Sequence, residues 1–285
     1  MRWAPLAFII LGLAVVASFA FFWSGAAPDP VPPARVSTSQ ESSEFRKVEL
    51  KPPDDSSVQR FSDIAANPFS TEFAKSFRYE PPSLGVVRYR EKAGTFTGFL
   101  TVRNLKPNFA YQVKLVGTPS DVASMENLGF NGRWLLPSGG TNFSDEDYLA
   151  LEDKSGVEGY IFFDWFVTDK RGDAELQFSL DTCLHVLMSK TLEGAQPPSP
   201  ELLRTFRVDS FLPFAYDKEY DPLDVEIWAM SEYYWSQERP EPGLTRLPAS
   251  RYNCLFRLTE ECFHGVGGGM WATALEAPVS FEVTN

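Results

Sequence analysis

Apolar and polar positions alternate along most of the chain beyond residue 80, and a period of two predicts strands rather than helices. Residues 95–103 (TFTGFLTVR) place Phe96, Leu100 and Val102 on one face, with Gly98 between them. Residues 109–116 (FAYQVKLV) alternate again. Residues 158–168 (EGYIFFDWFVT) are continuously apolar and aromatic, as in a strand buried on both faces. The turn residues Asp169-Lys170-Arg171-Gly172-Asp173 and the run 174–181 (AELQFSLD) predict that the chain folds back as a hairpin. Further strands are expected at 85–90, 184–189, 223–229, 251–259 and 278–283. Amphipathic helical periodicity is weak, and only short helical turns are expected, at 60–77 and 119–128. Residues 119–157 and 191–222 are rich in Gly, Pro, Ser and acid and read as long insertions.

A different pattern precedes this body. From Trp3 to Trp23 there is no charged residue, behind a lone Arg2. The run is long enough for a spanning helix, which needs about 20 apolar residues, and tryptophans at both ends suit membrane interfaces. An uncleaved anchor over residues 1–23 is the favoured reading. The alternative is a signal peptide cleaved near Ser24, Gly25, Ala26 and Ala27. No cysteine lies near the end of the run to support a lipoprotein anchor. Either way the body is expected outside the cytoplasm, periplasmic or extracellular, with Arg2 on the cytoplasmic side of an anchor. Residues 24–58 hold Pro28, Pro30, Pro32, Pro33, Pro52 and Pro53 among many polar residues, and predict a disordered tether. Residues 59–285 then form one extracytoplasmic domain. The net charge of −12 argues against a nucleic-acid partner, since phosphates demand Lys and Arg.

Two segments have the form of a tyrosine corner, in which a leucine plugs the core, a proline sets a turn and a tyrosine hydroxyl bonds back to the chain. One is Leu105-Lys106-Pro107-Asn108-Phe109-Ala110-Tyr111; the other is Leu247-Pro248-Ala249-Ser250-Arg251-Tyr252-Asn253-Cys254. The first resembles the corner of fibronectin type III domains and the second the immunoglobulin variant, with a cysteine two residues after the tyrosine. Only about 45 residues separate the tether from the first corner, too few for the five strands that normally precede it. The expected fold is therefore all-β: one enlarged immunoglobulin/fibronectin-like β-sandwich with long loop insertions, preceded by one N-terminal transmembrane helix. Residues 80–285 also resemble membrane-tethered bacterial proteins of unassigned activity, through LKPNFAYQVKLVG, FFDWFVTDKRGDAELQF and RYNCLFRLTEECFHGVGGGMWA. That resemblance implies no reaction and carries over no catalytic residue.

The chain has two histidines and three cysteines, and each histidine follows a cysteine by two: Cys183-Leu184-His185 and Cys262-Phe263-His264. In a strand such pairs share a face. If the two strands were neighbours, Cys183, His185, Cys262 and His264 would suit tetrahedral zinc or a copper site. The competing reading is a disulfide, Cys183–Cys262 or Cys254–Cys262, with one thiol left over.

Other segments carry weaker signals. Gly265-Val266-Gly267-Gly268-Gly269 lacks the Lys-Ser/Thr of a phosphate loop and reads as a flexible loop. The acidic runs 144–147 and 217–221 lack an EF-hand pattern and read as solvated loops. Trp134, Trp165, Trp228, Tyr233, Tyr234, Trp235 and Trp271 could stack on sugars or peptides, or pack in the core. No G-x-S-x-G or H-E-x-x-H is present. The expected function is a non-enzymatic, membrane-tethered binding or envelope-organising protein, with an envelope protein or glycan as partner. The alternative is a zinc, copper or redox protein built on the paired Cys-x-His segments.

Overall fold

The computed structural model describes residues 45–54, 60–82, 84–136, 143–209, 212–231, 245–261, 263 and 272–285. All described residues belong to one compact unit, Ser39–Asn285. Among them no helix is long and apolar enough to cross a membrane; the apolar run at residues 3–23 lies outside the described residues.

The described residues are mostly β and form two sheets. In chain order the first elements are β1 (Phe45–Leu50), α1 (Thr71–Ser76), β2 (Leu84–Arg90), β3 (Lys92–Ala93), β4 (Thr97–Arg103), β5 (Ala110–Gly117), α2 (Val122–Asn131) and β6 (Arg133–Leu135). Then come α3 (Asp145–Ala150), β7 (Glu158–Val167), β8 (Ala174–Ser179), β9 (Leu184–Ser189), α4 (Lys190–Glu193), β10 (Arg204–Val208), β11 (Leu223–Ser231), β12 (Ser250–Glu260) and β13 (Thr273–Val283). The small sheet has the order β1-β2-β4-β8. The large sheet runs β10-β11-β9-β7-β5-β12-β13-β3, with β6 added against β7. The core lies between the sheets: Val87, Tyr89, Leu100 and Phe178 meet Val113, Leu115, Ile161, Phe163, Phe256 and Phe281. Phe96 fills its middle, with ring centroids 4.4 Å from Phe281 and 5.3 Å from Phe178. β5 sits between β7 and β12 and all eight of its residues are buried, which is why its two faces carry both apolar and buried polar side chains. Pro278 is tolerated in β13 because β3 pairs only with Glu282 and Val283, leaving the edge at Pro278 without a β3 partner.

Three expectations need correction. The tether does not extend to residue 58. Phe45–Leu50 is an edge strand antiparallel to β2, because Val48 and Leu50 alternate onto the core while Arg90 lies over the outward Phe45 ring at 5.2 Å. The predicted hairpin of 158–168 with 174–181 is not formed. β8 pairs with β4 in the small sheet, whereas β7 pairs with β5, β6 and β9 in the large one. The turn between them carries the chain across the core, and Gly172 takes φ +81° there; a Cβ at this residue would lie 2.0 Å from the Leu105 carbonyl oxygen. Third, the supposed insertions hold structure: 119–157 contains α2, β6 and α3, and 191–222 contains β10.

α2 packs directly on β5 and β7 because both strands present glycine. A Cβ on Gly117 would lie 2.4 Å from Met125 Cα, and one on Gly159 would lie 2.1 Å from the Met125 carbonyl oxygen. Its N-terminus is capped by Asp121, which accepts from the Ser124 amide at 3.2 Å and ties Asn253 of β12 at 2.8 Å. The acidic run at 144–147 is the first turn of α3. Ser144 and Asp147 form a reciprocal capping box, and Asp145 accepts from Trp134 Nε1 at 2.8 Å. These carboxylates serve a helix terminus, where the dipole favours them.

Candidate functional site

Where β7 ends, the small-sheet edge strand β8 and the large-sheet edge strand β10 leave an open groove of about 640 Å³. Its walls include Phe166 near the end of β7 and Thr168 just beyond it, Ala174, Glu175 and Leu176 from β8, and Arg204, Phe206 and Arg207 from β10. Among the described residues each of these edge strands has one strand partner only. Each therefore has one side whose amides and carbonyls are not used by a strand partner. The floor is fixed by aromatic contacts: the Arg204 guanidinium lies 4.7 Å from the Trp165 ring centre, and Phe206 meets the same ring edge-on at 5.7 Å. Beside Trp165, burial raises the Asp164 carboxyl from 3.8 to about 6, opposed by the Trp165 amide and by Arg204. The rim carries both signs, with Arg207 paired to Asp224 at 3.0 Å and Arg103 to Asp173 at 3.8 Å.

The strap of residues 60–79 is held by buried polar groups. Asp63 accepts from the Ala65 and Asn67 amides at 2.8 and 2.9 Å and from the Tyr216 hydroxyl at 2.7 Å. Burial raises the Asp63 carboxyl, and these hydrogen bonds act against that rise. Deeper, Lys106 and Glu260 form an ion pair of 2.7 Å with both side chains inaccessible. Tyr79 donates to the same Glu260 oxygen at 2.7 Å and touches the Tyr111 hydroxyl at 3.0 Å. Burial pushes Tyr79 and Tyr111 far above the ordinary tyrosine value. A second buried group lies one residue along: Glu261 accepts from Gln112 Nε2 and from the Phe263 amide. Gln112 and Thr259 are cross-strand partners, and each keeps a buried oxygen with no hydrogen-bond partner among the described residues.

Both tyrosine corners close as the sequence expects. Tyr252 donates to the Pro248 carbonyl at 2.8 Å. Tyr111 differs in polarity: its hydroxyl accepts from the Lys106 amide at 3.2 Å. Leu105 and Leu247 are both buried plugs.

Of the four candidate metal ligands, Cys183 and His185 are buried at the start of β9. Cys262 and His264 lie outside the described residues, so their approach to the first pair is not described. Among the described residues no group of three His, Cys, Asp or Glu could hold a metal ion. Cys254 is a buried thiol, with its pKa pushed well up by burial; Cys262, the partner in either suggested disulfide, lies outside the described residues. Trp134, Trp165 and Trp228 are buried at 5, 3 and 2% exposure, which leaves them no open face for a sugar. Tyr233, Tyr234, Trp235, Trp271 and the glycine run 265–269 lie outside the described residues.

Sequence reasoning missed the groove and the Lys106–Glu260 pair. The groove's β10 wall sits in a stretch assigned to an insertion, although Arg204-Thr205-Phe206-Arg207-Val208 does alternate. The ion pair joins residues 154 apart and has no local signature. No family model, curated protein or solved structure matches the chain, so its own geometry carries the functional argument.

Proposed function

We propose that the protein is a non-enzymatic, membrane-tethered binding module of the immunoglobulin/fibronectin-like sandwich class, working outside the cytoplasm. The observation that carries the reading is the open groove between β8 and β10. It is large enough for a ligand segment, since binding pockets begin at about 300 Å³. It offers two strand edges, an apolar floor and a rim of mixed charge. The groove lies on the edge of the small sheet opposite β1, the strand into which the tether leads. The two packed sheets and the two closed tyrosine corners support the sandwich class. The apolar run at residues 3–23 supports the membrane attachment and the extracytoplasmic placement.

The function is tested by crosslinking the full chain in membranes of its native host and identifying what it joins. Recovery of an envelope protein or glycan, lost when Phe206 and Arg207 are both replaced by Glu, is the expected result. Recovery of no partner counts against a binding role. Partners unchanged by the groove substitutions would move the site elsewhere on the body.

A further inference from the structure

We infer that Lys106 and Glu260 are a self-modification site, at which the two side chains condense into an intramolecular amide between the first tyrosine corner and the end of β12. Four observations lead there. Nζ and Oε1 are 2.7 Å apart, which holds the amine beside the carboxyl carbon. Both side chains are inaccessible, at 0 and 1% exposure, so the water that would hydrolyse an amide is excluded. The rings of Phe109 and Phe61 lie 4.7 and 5.4 Å from Nζ. Each carboxylate oxygen has its own donor: Tyr79 hydroxyl to Oε1 at 2.7 Å and the Arg60 amide to Oε2 at 3.1 Å.

The chemistry balances without a co-reactant. A proton passes from the Lys106 ammonium to Oε1 along their hydrogen bond, giving a neutral amine and a neutral carboxylic acid. Burial favours loss of the proton from nitrogen, because an apolar site penalises the ammonium charge; it lowers the Lys106 ammonium from 10.5 to about 8. The amine lone pair then attacks the Glu260 carboxyl carbon and the C–N bond forms. Oε2 becomes the oxyanion, held by the Arg60 amide. The C–Oε1 bond breaks, with a proton from nitrogen carried to Oε1, and Oε1 leaves as water. Tyr79, donating to Oε1, stabilises the departing group. Reactant groups fixed at this separation react as if at very high concentration, with effective molarities on the order of 10⁵ M or more.

The test is mass spectrometry of the full chain purified from membranes and denatured. The expected result is a mass about 18 Da below that calculated for the chain from its measured N-terminus, the loss of one water. Protease digestion then yields a branched peptide joining the segments that carry Lys106 and Glu260. The Lys106→Met variant shows no deficit. The calculated mass, with the two segments recovered as separate linear peptides, overturns the inference and leaves an ordinary buried ion pair. The wild-type measurement decides between these outcomes even if the variant fails to fold.

Discussion

Replacing Asp164 by Asn should stabilise the protein at neutral pH, and by an amount that depends on pH. Burial raises the Asp164 carboxyl from 3.8 to about 6 in the folded chain. Between those values the folded state holds its proton while the unfolded state has released it. The group's contribution is therefore most favourable below about pH 4 and is lost as pH rises through 6. A displacement of that size is worth about 3 kcal/mol at most. Solvent reaching the partly exposed carboxylate reduces this to about 1–2 kcal/mol. Asn removes the charge yet keeps an oxygen for the Trp165 amide, whose bond to Asp164 is 2.8 Å. Urea unfolding of the full chain in detergent, wild type against Asp164→Asn, should show the variant more stable by that amount at pH 7.5. The gain should shrink steadily towards pH 4. An equal difference at both ends, or a less stable variant at pH 7.5, would refute the reasoning.

Other outcomes follow from single contacts. Gly159→Ala places a Cβ 2.1 Å from the Met125 carbonyl oxygen and should cost about 2–3 kcal/mol in the same assay. Gly94→Ala, whose nearest neighbour would be at 3.9 Å, should change stability by less than about 0.5 kcal/mol. Tyr252→Phe removes the hydroxyl that bonds the Pro248 carbonyl at 2.8 Å and should cost about 1 kcal/mol. Metal analysis of the purified chain should find no stoichiometric zinc or copper; one ion per chain, lost when His185 and His264 are both replaced, would transfer the account to the Cys-x-His site. Alkaline washing should leave the full chain with the membrane and release a chain lacking residues 1–23.

Most strands were legible because each carries its own pattern. The alternation at 84–90 and 97–103 and the unbroken apolar run at 158–167 state burial directly. Partner choice was not legible in the same way. A Gly-containing turn after a strand looks alike whether the chain returns to the same sheet or crosses the core, and at residues 169–173 it crosses. β1 was hidden by its setting, a single alternating hexamer behind a proline-rich stretch. The tyrosine corners were readable because leucine, proline and tyrosine act within a few residues of one another. The groove and the Lys106–Glu260 pair depend on residues brought together from separate strands, and no local spacing encodes them.

The most direct test of the binding account places a photo-reactive residue at Arg207, in the groove, and separately at Lys47, on the opposite edge strand of the small sheet, in full-length protein expressed in its native host. Illumination should give a discrete adduct from position 207 and none from position 47. Adducts of equal yield from both positions, or from 47 alone, would contradict the groove as the binding surface.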